Sequence, residues 1–231
     1  AHYNFIAQSS DYDYLTRSSE QLFARAGYRF TEATEAGVEV SGSFTDYDQN
    51  ITQSDNRSVS FGPYIQWQIT QATSLNLRGG YVTYYFDPSR THSRPNDLSS
   101  WYVGAEIQNQ LTDNIRQALL FTHDIQQGVN QGSQSIELSR VSYTISWAFH
   151  QNLTLSANGY YEHSDEPTAS LLVYSGEVYD RYGFGASLGW QADRHLYASL
   201  GYRFDDRQSD SVNANRDYIV NSILLSIGYR F

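Results

Sequence analysis

The chain of 231 residues has no cysteine and no methionine, and each of its 15 basic residues is an arginine. The absence of cysteine excludes a disulfide scaffold, a zinc–thiolate site and a thiol nucleophile. No stretch approaches the ~18 consecutive apolar residues of a transmembrane helix. Positive charge is in deficit, with 25 acids against 15 bases and a formal net charge of −10, which argues against a nucleic-acid partner. Charged residues are only 17% of the chain and aromatics reach 15%, a balance that argues against disorder. Proline is scarce at 4 residues, and mean hydropathy is −0.55. No signal peptide is visible at Ala1, as in a mature, processed chain.

Helical spacing of apolar residues is nearly absent as well, and period-two alternation takes its place. In 194–204, Leu196, Ala198, Leu200, Tyr202 and Phe204 share one face, and Tyr197, Ser199, Gly201 and Arg203 the other. In 218–231, Ile219, Ile223, Leu225, Ile227, Tyr229 and Phe231 oppose Ser222, Ser226, Gly228 and Arg230. In 181–190, Tyr182, Phe184, Ala186, Leu188 and Trp190 oppose Gly183, Gly185, Ser187 and Gly189. Successive side chains of a strand point to opposite faces, so each segment reads as a strand with one apolar and one polar face.

Twelve such segments are expected, at 2–9, 20–30, 37–46, 57–69, 74–86, 98–111, 114–124, 135–149, 152–162, 178–191, 195–205 and 218–231. The register of the seventh stays open, because its ALLF run suits either face. Short connections centre near 34, 72, 113, 151 and 193, and long polar ones near 15, 52, 92, 130, 170 and 211. Short turns therefore recur every 38 to 42 residues, one hairpin per repeat. A propeller blade would pack four short strands into that length, and its Trp-Asp and Gly-His signatures are missing. Tilted strands of ~9–11 residues, joined by short turns at one end and long loops at the other, are the pattern of an outer-membrane barrel.

Charge placement agrees. The apolar faces carry no Arg, Asp or Glu, as in Val59, Phe61, Pro63, Ile65, Trp67 and Ile69, whereas Arg25, Glu39, Arg78, Glu106, Arg140 and Arg203 sit on the opposite faces. Lipid penalises a charge on the outer face by a few kcal/mol near the midplane. Unpaired backbone is equally costly there, so the sheet is expected to close by pairing the first strand with the last. Aromatics collect at strand ends. Phe30, Trp67, Trp147, Phe149, Trp190, Tyr229 and Phe231 lie beside short turns, and Tyr85, Trp101, Tyr161, Tyr182 and Phe204 toward long loops. These are the two girdles expected at headgroup level. The reading is a single domain over 1–231: an all-β, closed antiparallel transmembrane barrel in the outer membrane of a Gram-negative bacterium. Short turns and both termini would be periplasmic, and the long loops extracellular.

The segments EQLFARAGYRF (20–30), FGPYIQWQIT (61–70), TSLNLRGGYVTYYF (73–86), ASLGYRFDDRQSD (198–210) and RDYIVNSILLSIGYRF (216–231) resemble the putative β-barrel porin type 2 family. The resemblance implies outer-membrane location, transport and association with exopolysaccharide genes. It carries no catalytic residues. The chain is short for that pattern, fitting a compact member or a fragment. The aromatic terminus at Phe231 resembles the signal read by the barrel assembly machinery.

The functional candidates lie inside. Arg25, Arg78 and Arg140 fall near mid-depth, Arg116 near the short-turn end, and Glu106 and Arg203 share the interior. Guanidinium grips carboxylate or phosphate bidentately and stays charged at any depth. An arginine-lined pore among small Gly and Ser side chains would pass anionic or saccharide solutes. In the alternative, Arg–Glu pairs plug a structural or partner-binding barrel. A third class is a lipid hydrolase, for which His123 with Ser139 or Ser142 is the best pair. Asp46, Asp48, Asp55, Asp165, Glu166, Asp205, Asp206 and Asp210 read as acidic loops that could bridge through divalent ions to lipopolysaccharide. Asp46-x-Asp48-x-Asn50 opens like a calcium loop but lacks the glycine and the closing Glu. No catalytic residue, metal or cofactor is assigned. The expected partners are outer-membrane lipid and lipopolysaccharide, the assembly machinery, and polysaccharide or a periplasmic export partner.

Overall fold

Among the described residues twelve strands form one antiparallel meander in strict chain order, with no crossover. The computed structural model describes residues 2–6, 15–48, 54–87, 97–127, 135–166, 176–210 and 216–229. The strands are β1 (His2–Phe5), β2 (Arg17–Thr31), β3 (Thr34–Tyr47), β4 (Asn56–Thr70), β5 (Thr73–Phe86) and β6 (Leu98–Thr112). They continue as β7 (Ile115–Gln127), β8 (Ser135–His150), β9 (Leu153–Glu166), β10 (Glu177–Gln191), β11 (Leu196–Ser209) and β12 (Tyr218–Tyr229). All twelve expected segments hold strands; of the first, expected over 2–9, residues 7–9 lie outside the described residues. The 4 residues of β1 pair with Arg17–Glu20 of β2. Arg230, Phe231 and Asn50 lie outside the described residues.

Alternation sets the faces as expected. Along β3, Glu39, Thr45 and Tyr47 are buried, while Val38, Val40 and Phe44 are exposed. Leu188, Leu200 and Leu225 are register partners on the outer face. Ser199 pairs with Ser226 on the inner face. In β7, where the pattern was ambiguous, Ala118 and Leu120 turn inward with Thr144 and Ser142, and Leu119 and Phe121 turn outward with Tyr143 and Val141. The outer band of β8, Val141 to Phe149, runs about 26 Å along the strand at ~3.3 Å per residue, a height of about 20 Å at the ~40° tilt of barrel strands.

The two ends of the sheet are built differently. Four hairpins turn on two residues, at Glu32–Ala33, Gln71–Ala72, Asp113–Asn114 and Gln151–Asn152. In three of them a threonine hydroxyl accepts the second turn residue's amide: Thr31 from Ala33 and Thr70 from Ala72 at 3.2 Å, Thr112 from Asn114 at 3.3 Å. A bulge follows each pattern, between Arg29 and Thr31, Gln68 and Thr70, Gln110 and Thr112, and Trp147 and His150. It lets the next even-numbered strand reach across. The amides of Gln68, Gln110, Ala148 and Gln191 donate to the carbonyls of Ala33, Ala72, Asn114 and Asn152 at 2.7–2.9 Å. Each turn is thereby stitched to its neighbour. Threonine at the turn entrance is the local reason, because its short hydroxyl mimics a turn carbonyl.

Two expectations are corrected. First, β1 and β12 do not pair among the described residues, so the expected closure of first strand on last is not made by hydrogen bonds. Among the described residues no strand pairs with β2 from Leu22 to Thr31 on the β1 side. Second, several acids read as loop residues belong to strands, because the strands run past the apolar band. Asp46, Asp165, Glu166, Asp205 and Asp206 all lie within β3, β9 or β11. Glu166 and Asp205 are buried on the inner face.

A candidate solute-conducting inner face

One row of register partners crosses nearly the whole inner face. It runs Gly27, Gly37, Tyr64, Arg78, Gly104, Thr122, Arg140, Glu162, Arg181, Arg207. Its start is an aromatic platform. A Cβ on Gly27 would lie 1.9 Å from Tyr64 Oη, and one on Gly37 would lie 2.8 Å from Tyr64 Cε1. Only glycine at both positions lets the Tyr64 ring lie flat on the strands. The hydroxyl then donates to Glu35 Oε1 at 2.8 Å, and the Arg25 guanidinium stacks 3.4 Å from the ring centroid. Glu39 is the register partner of Arg25 and accepts from Tyr102 Oη at 3.3 Å.

The β8–β12 wall is cross-linked by charge. Glu177, 2% exposed, meets Arg207 Nη2 at 2.7 Å and Arg216 Nη1 at 2.6 Å, and accepts from the Ser209 hydroxyl. Asp205, 4% exposed, takes Arg181 Nη2 at 3.0 Å, Arg203 and the Tyr160 hydroxyl. Arg140 sits 4.3 Å over the Tyr160 ring, with Glu162 Oε2 at 3.6 Å. Carboxylates removed from water need such paired guanidinium donors, so these arginines serve as struts as well as lining.

The β2–β7 wall differs. Among the described residues no carboxylate oxygen lies within ion-pair distance of Arg25, Arg78 or Arg116. Arg78 lies against Gly104, where a Cβ would come within 3.0 Å of its Nε. Glu106 faces inward with its carboxylate held by Gln108 Nε2 at 2.7 Å and Asn76 Nδ2 at 3.5 Å. Below it, at the short-turn end, a cavity of about 640 Å³ is lined by Gln68, Gln108, Gln110, Arg116, Ser146 and Asn158.

All six residues expected to line the lumen thus face inward. They separate into Arg140 and Arg203, tied to carboxylates, and Arg25, Arg78 and Arg116, which are not. Glu106 is held by amides. The sequence reading missed Arg181, Arg207, Glu177 and the tyrosine platforms as parts of the inner wall. Arg181 was legible, since it alternates in step with Gly183 and Gly185. Glu177 and Arg207 were not, because both lay outside the segments assigned to strands. Among the described residues no cluster of His, Asp and Glu is arranged to hold a metal ion.

The family described as "Putative beta-barrel porin 2" matches residues 7–231. The chain belongs to this family of β-barrel porins. No curated protein matches it. Solved structures of similar fold include the FrpB iron transporter of Neisseria meningitidis, with TM-score 0.63 at 9% identity over 94% of this chain and 42% of that one. FpvAI, solved in complex with pyocin S2, gives TM-score 0.63 at 14% identity over 94% and 36%. The alcaligin outer-membrane receptor FauA of Bordetella pertussis gives 0.56 at 13% over 90% and 42%. The porin-family chain spans less than half the length of each of these three. The family makes it a porin-type β-barrel chain, and these neighbours share its barrel fold.

Proposed function

We propose that this porin-family chain forms the wall of a passive diffusion or export channel for anionic or saccharide solutes. The observation that carries the reading is the set of inner arginines with no carboxylate within ion-pair distance among the described residues, Arg25, Arg78 and Arg116. A guanidinium already neutralised by a buried carboxylate adds little field to the lumen, whereas one beyond ion-pair distance of a carboxylate leaves more of its field for a passing anion. The amide- and hydroxyl-lined cavity around Arg116 supports hydroxylated solutes, since Gln, Asn and Ser side chains both donate and accept. In this reading the short turns and both termini face the periplasm, and the acidic long-loop end faces outward.

The test is single-channel recording in planar bilayers with reversal potentials in a salt gradient. Wild type conducts with a modest anion preference, tempered by Glu39 and Glu106. Replacing Arg25, Arg78 and Arg116 together by Gln lowers anion permeability severalfold and leaves the barrel folded, because none of the three faces lipid. Arg203→Gln changes selectivity less and stability more. A folded protein that conducts nothing overturns the channel reading in favour of a plugged, structural barrel.

A further inference from the structure

The lipid-facing surface carries a second constellation that the channel does not use. On β7 and β8 the register pairs His123 with Ser139 on the outer face, whereas Ser142, the other serine considered, turns into the lumen opposite Leu120. His123 Nδ1 lies 2.8 Å from Ser139 Oγ. His123 Nε2 lies 3.0 Å from Glu137 Oε1, off the N–H direction, so the carboxylate acts on the ring as an adjacent charge rather than as an aligned acceptor. Glu137 is itself held by the Ser100 hydroxyl at 3.1 Å. The imidazole is 6% exposed and clamped by Trp101, whose ring stacks on it at 3.7 Å with planes 12° apart. One nitrogen thus faces a hydroxyl and the other a carboxylate. With its proton on Nε2, beside the Glu137 charge, the neutral imidazole presents the Nδ1 lone pair to Ser139, the form that acts as a base.

Depth gives this arrangement a substrate. Below Ser139 the outer face of β8 is wholly apolar, through Val141, Tyr143, Ile145, Trp147 and Phe149. Beyond that edge the outer face turns polar. His163, the next register partner of Ser139, holds Asp180 at 2.8 Å, and Asp180 also accepts from Tyr161 at 2.6 Å. Ser139 therefore stands at the boundary between acyl chains and headgroups, where the ester carbonyls of a membrane lipid lie. We propose that Ser139, His123 and Glu137 form a hydrolytic triad for acyl esters of membrane lipids, on the long-loop side of the barrel.

Ser139 Oγ attacks the ester carbonyl carbon while its proton passes to His123 Nδ1. The carbon–oxygen ester bond breaks, and the departing alcohol of the deacylated lipid takes that proton. Water then attacks the acyl-serine, again giving a proton to His123, which returns it to Ser139 as the fatty acid leaves. Ser139 and His123 are catalytic residues, and Glu137 is a positioning residue that acts through His123. The reading is independent of the channel.

The experiment uses the full chain folded in detergent micelles, with folding checked for each variant by heat-modifiable electrophoretic mobility. The probes are a fluorogenic diacyl phospholipid and a fluorophosphonate whose attachment site is mapped by mass spectrometry. Wild type cleaves the ester and is labelled on Ser139. Ser139→Ala abolishes both, and His123→Asn lowers kcat by ~10³-fold. Glu137→Gln lowers kcat about tenfold at unchanged KM, with partial recovery in Glu137→Asp. Ser142→Ala cleaves like wild type. Folded wild type that neither cleaves nor labels overturns the proposal, as does cleavage that survives Ser139→Ala. Ser139→Ala leaves bilayer conductance unchanged, so the two functions fail separately.

Discussion

At the scale of single residues, the protein is governed by where an arginine finds its counter-charge. Fifteen arginines and no lysine suit an interior of limited water, since guanidinium keeps its charge and offers a planar fork of donors. Glu177 shows the structural use. It is almost fully buried between Arg207 and Arg216, so Glu177→Gln leaves two guanidinium groups facing a neutral amide. The expected cost is about 3–5 kcal/mol, read as an earlier urea midpoint for the folded barrel. Asp193 shows the same economy at a turn. Its Oδ1 accepts the amides of His195 at 2.7 Å and Leu196 at 2.9 Å, and these bonds hold its carboxyl below the usual aspartate range. A depressed folded pKa means the turn is stabilised above the ordinary value near ~3.9, and that this contribution is lost as pH falls through the lower folded value. In NMR pH titration the amides of His195 and Leu196 should shift with a midpoint below that of a model aspartate. Asp193→Ala should abolish the transition and speed hydrogen exchange at His195.

At the scale of elements, one parity rule decides everything from strand to strand. Leu200 faces outward at the middle of the apolar band, between Leu188 and Leu225. Ser199, its neighbour, faces inward against Gly189 and Ser226. Leu200→Arg should cost about 2–4 kcal/mol in lipid, while Ser199→Arg should cost well under that. Equilibrium unfolding in lipid vesicles measures both, and the reverse order of costs would mean the strand is inverted. The short turns were legible as turns from their Thr, Asn and Gln content. Their stitching was not, because the bulge and the carbonyl reaching the next strand depend on three strands at once.

At the scale of the molecule, the outer surface is a band bounded by aromatics. Trp67, Trp147 and Trp190 lie by the short turns and Trp101 by the long loops, all on the outer face and all between 43% and 48% exposed. With one tryptophan retained at a time, lipids brominated near the headgroup should quench each of the four more than lipids brominated at the chain ends. A tryptophan placed at Leu188, in mid-band, should show the reverse order. A native tryptophan quenched most by deep bromines would move the band. The tyrosines of the long-loop girdle are tethered in turn, Tyr161 to Asp180 at 2.6 Å and Tyr182 to Asp206 at 2.9 Å, which pins that interface to the strand ends.

The sequence by itself determined the strand count, the two faces, the girdles and the hairpin repeat, because each follows from a period of two and from local turn chemistry. It also put Arg25, Arg78, Arg116, Arg140 and Arg203 on the face opposite the apolar one, whereas Arg57 shares the outer face with Val59 and Phe61. Tertiary structure decided what pairing distance alone can decide. Among the described residues Arg140 and Arg203 meet carboxylates within ion-pair distance while Arg25, Arg78 and Arg116 do not, and Tyr64 finds room on two glycines from neighbouring strands. Ser139 rather than Ser142 stands beside His123, a choice of face that an ALLF run left open. Curvature, too, was invisible to periodicity. Alternation is the same for a sheet of any radius, so only the folded sheet could show that β1 and β12 do not pair among the described residues.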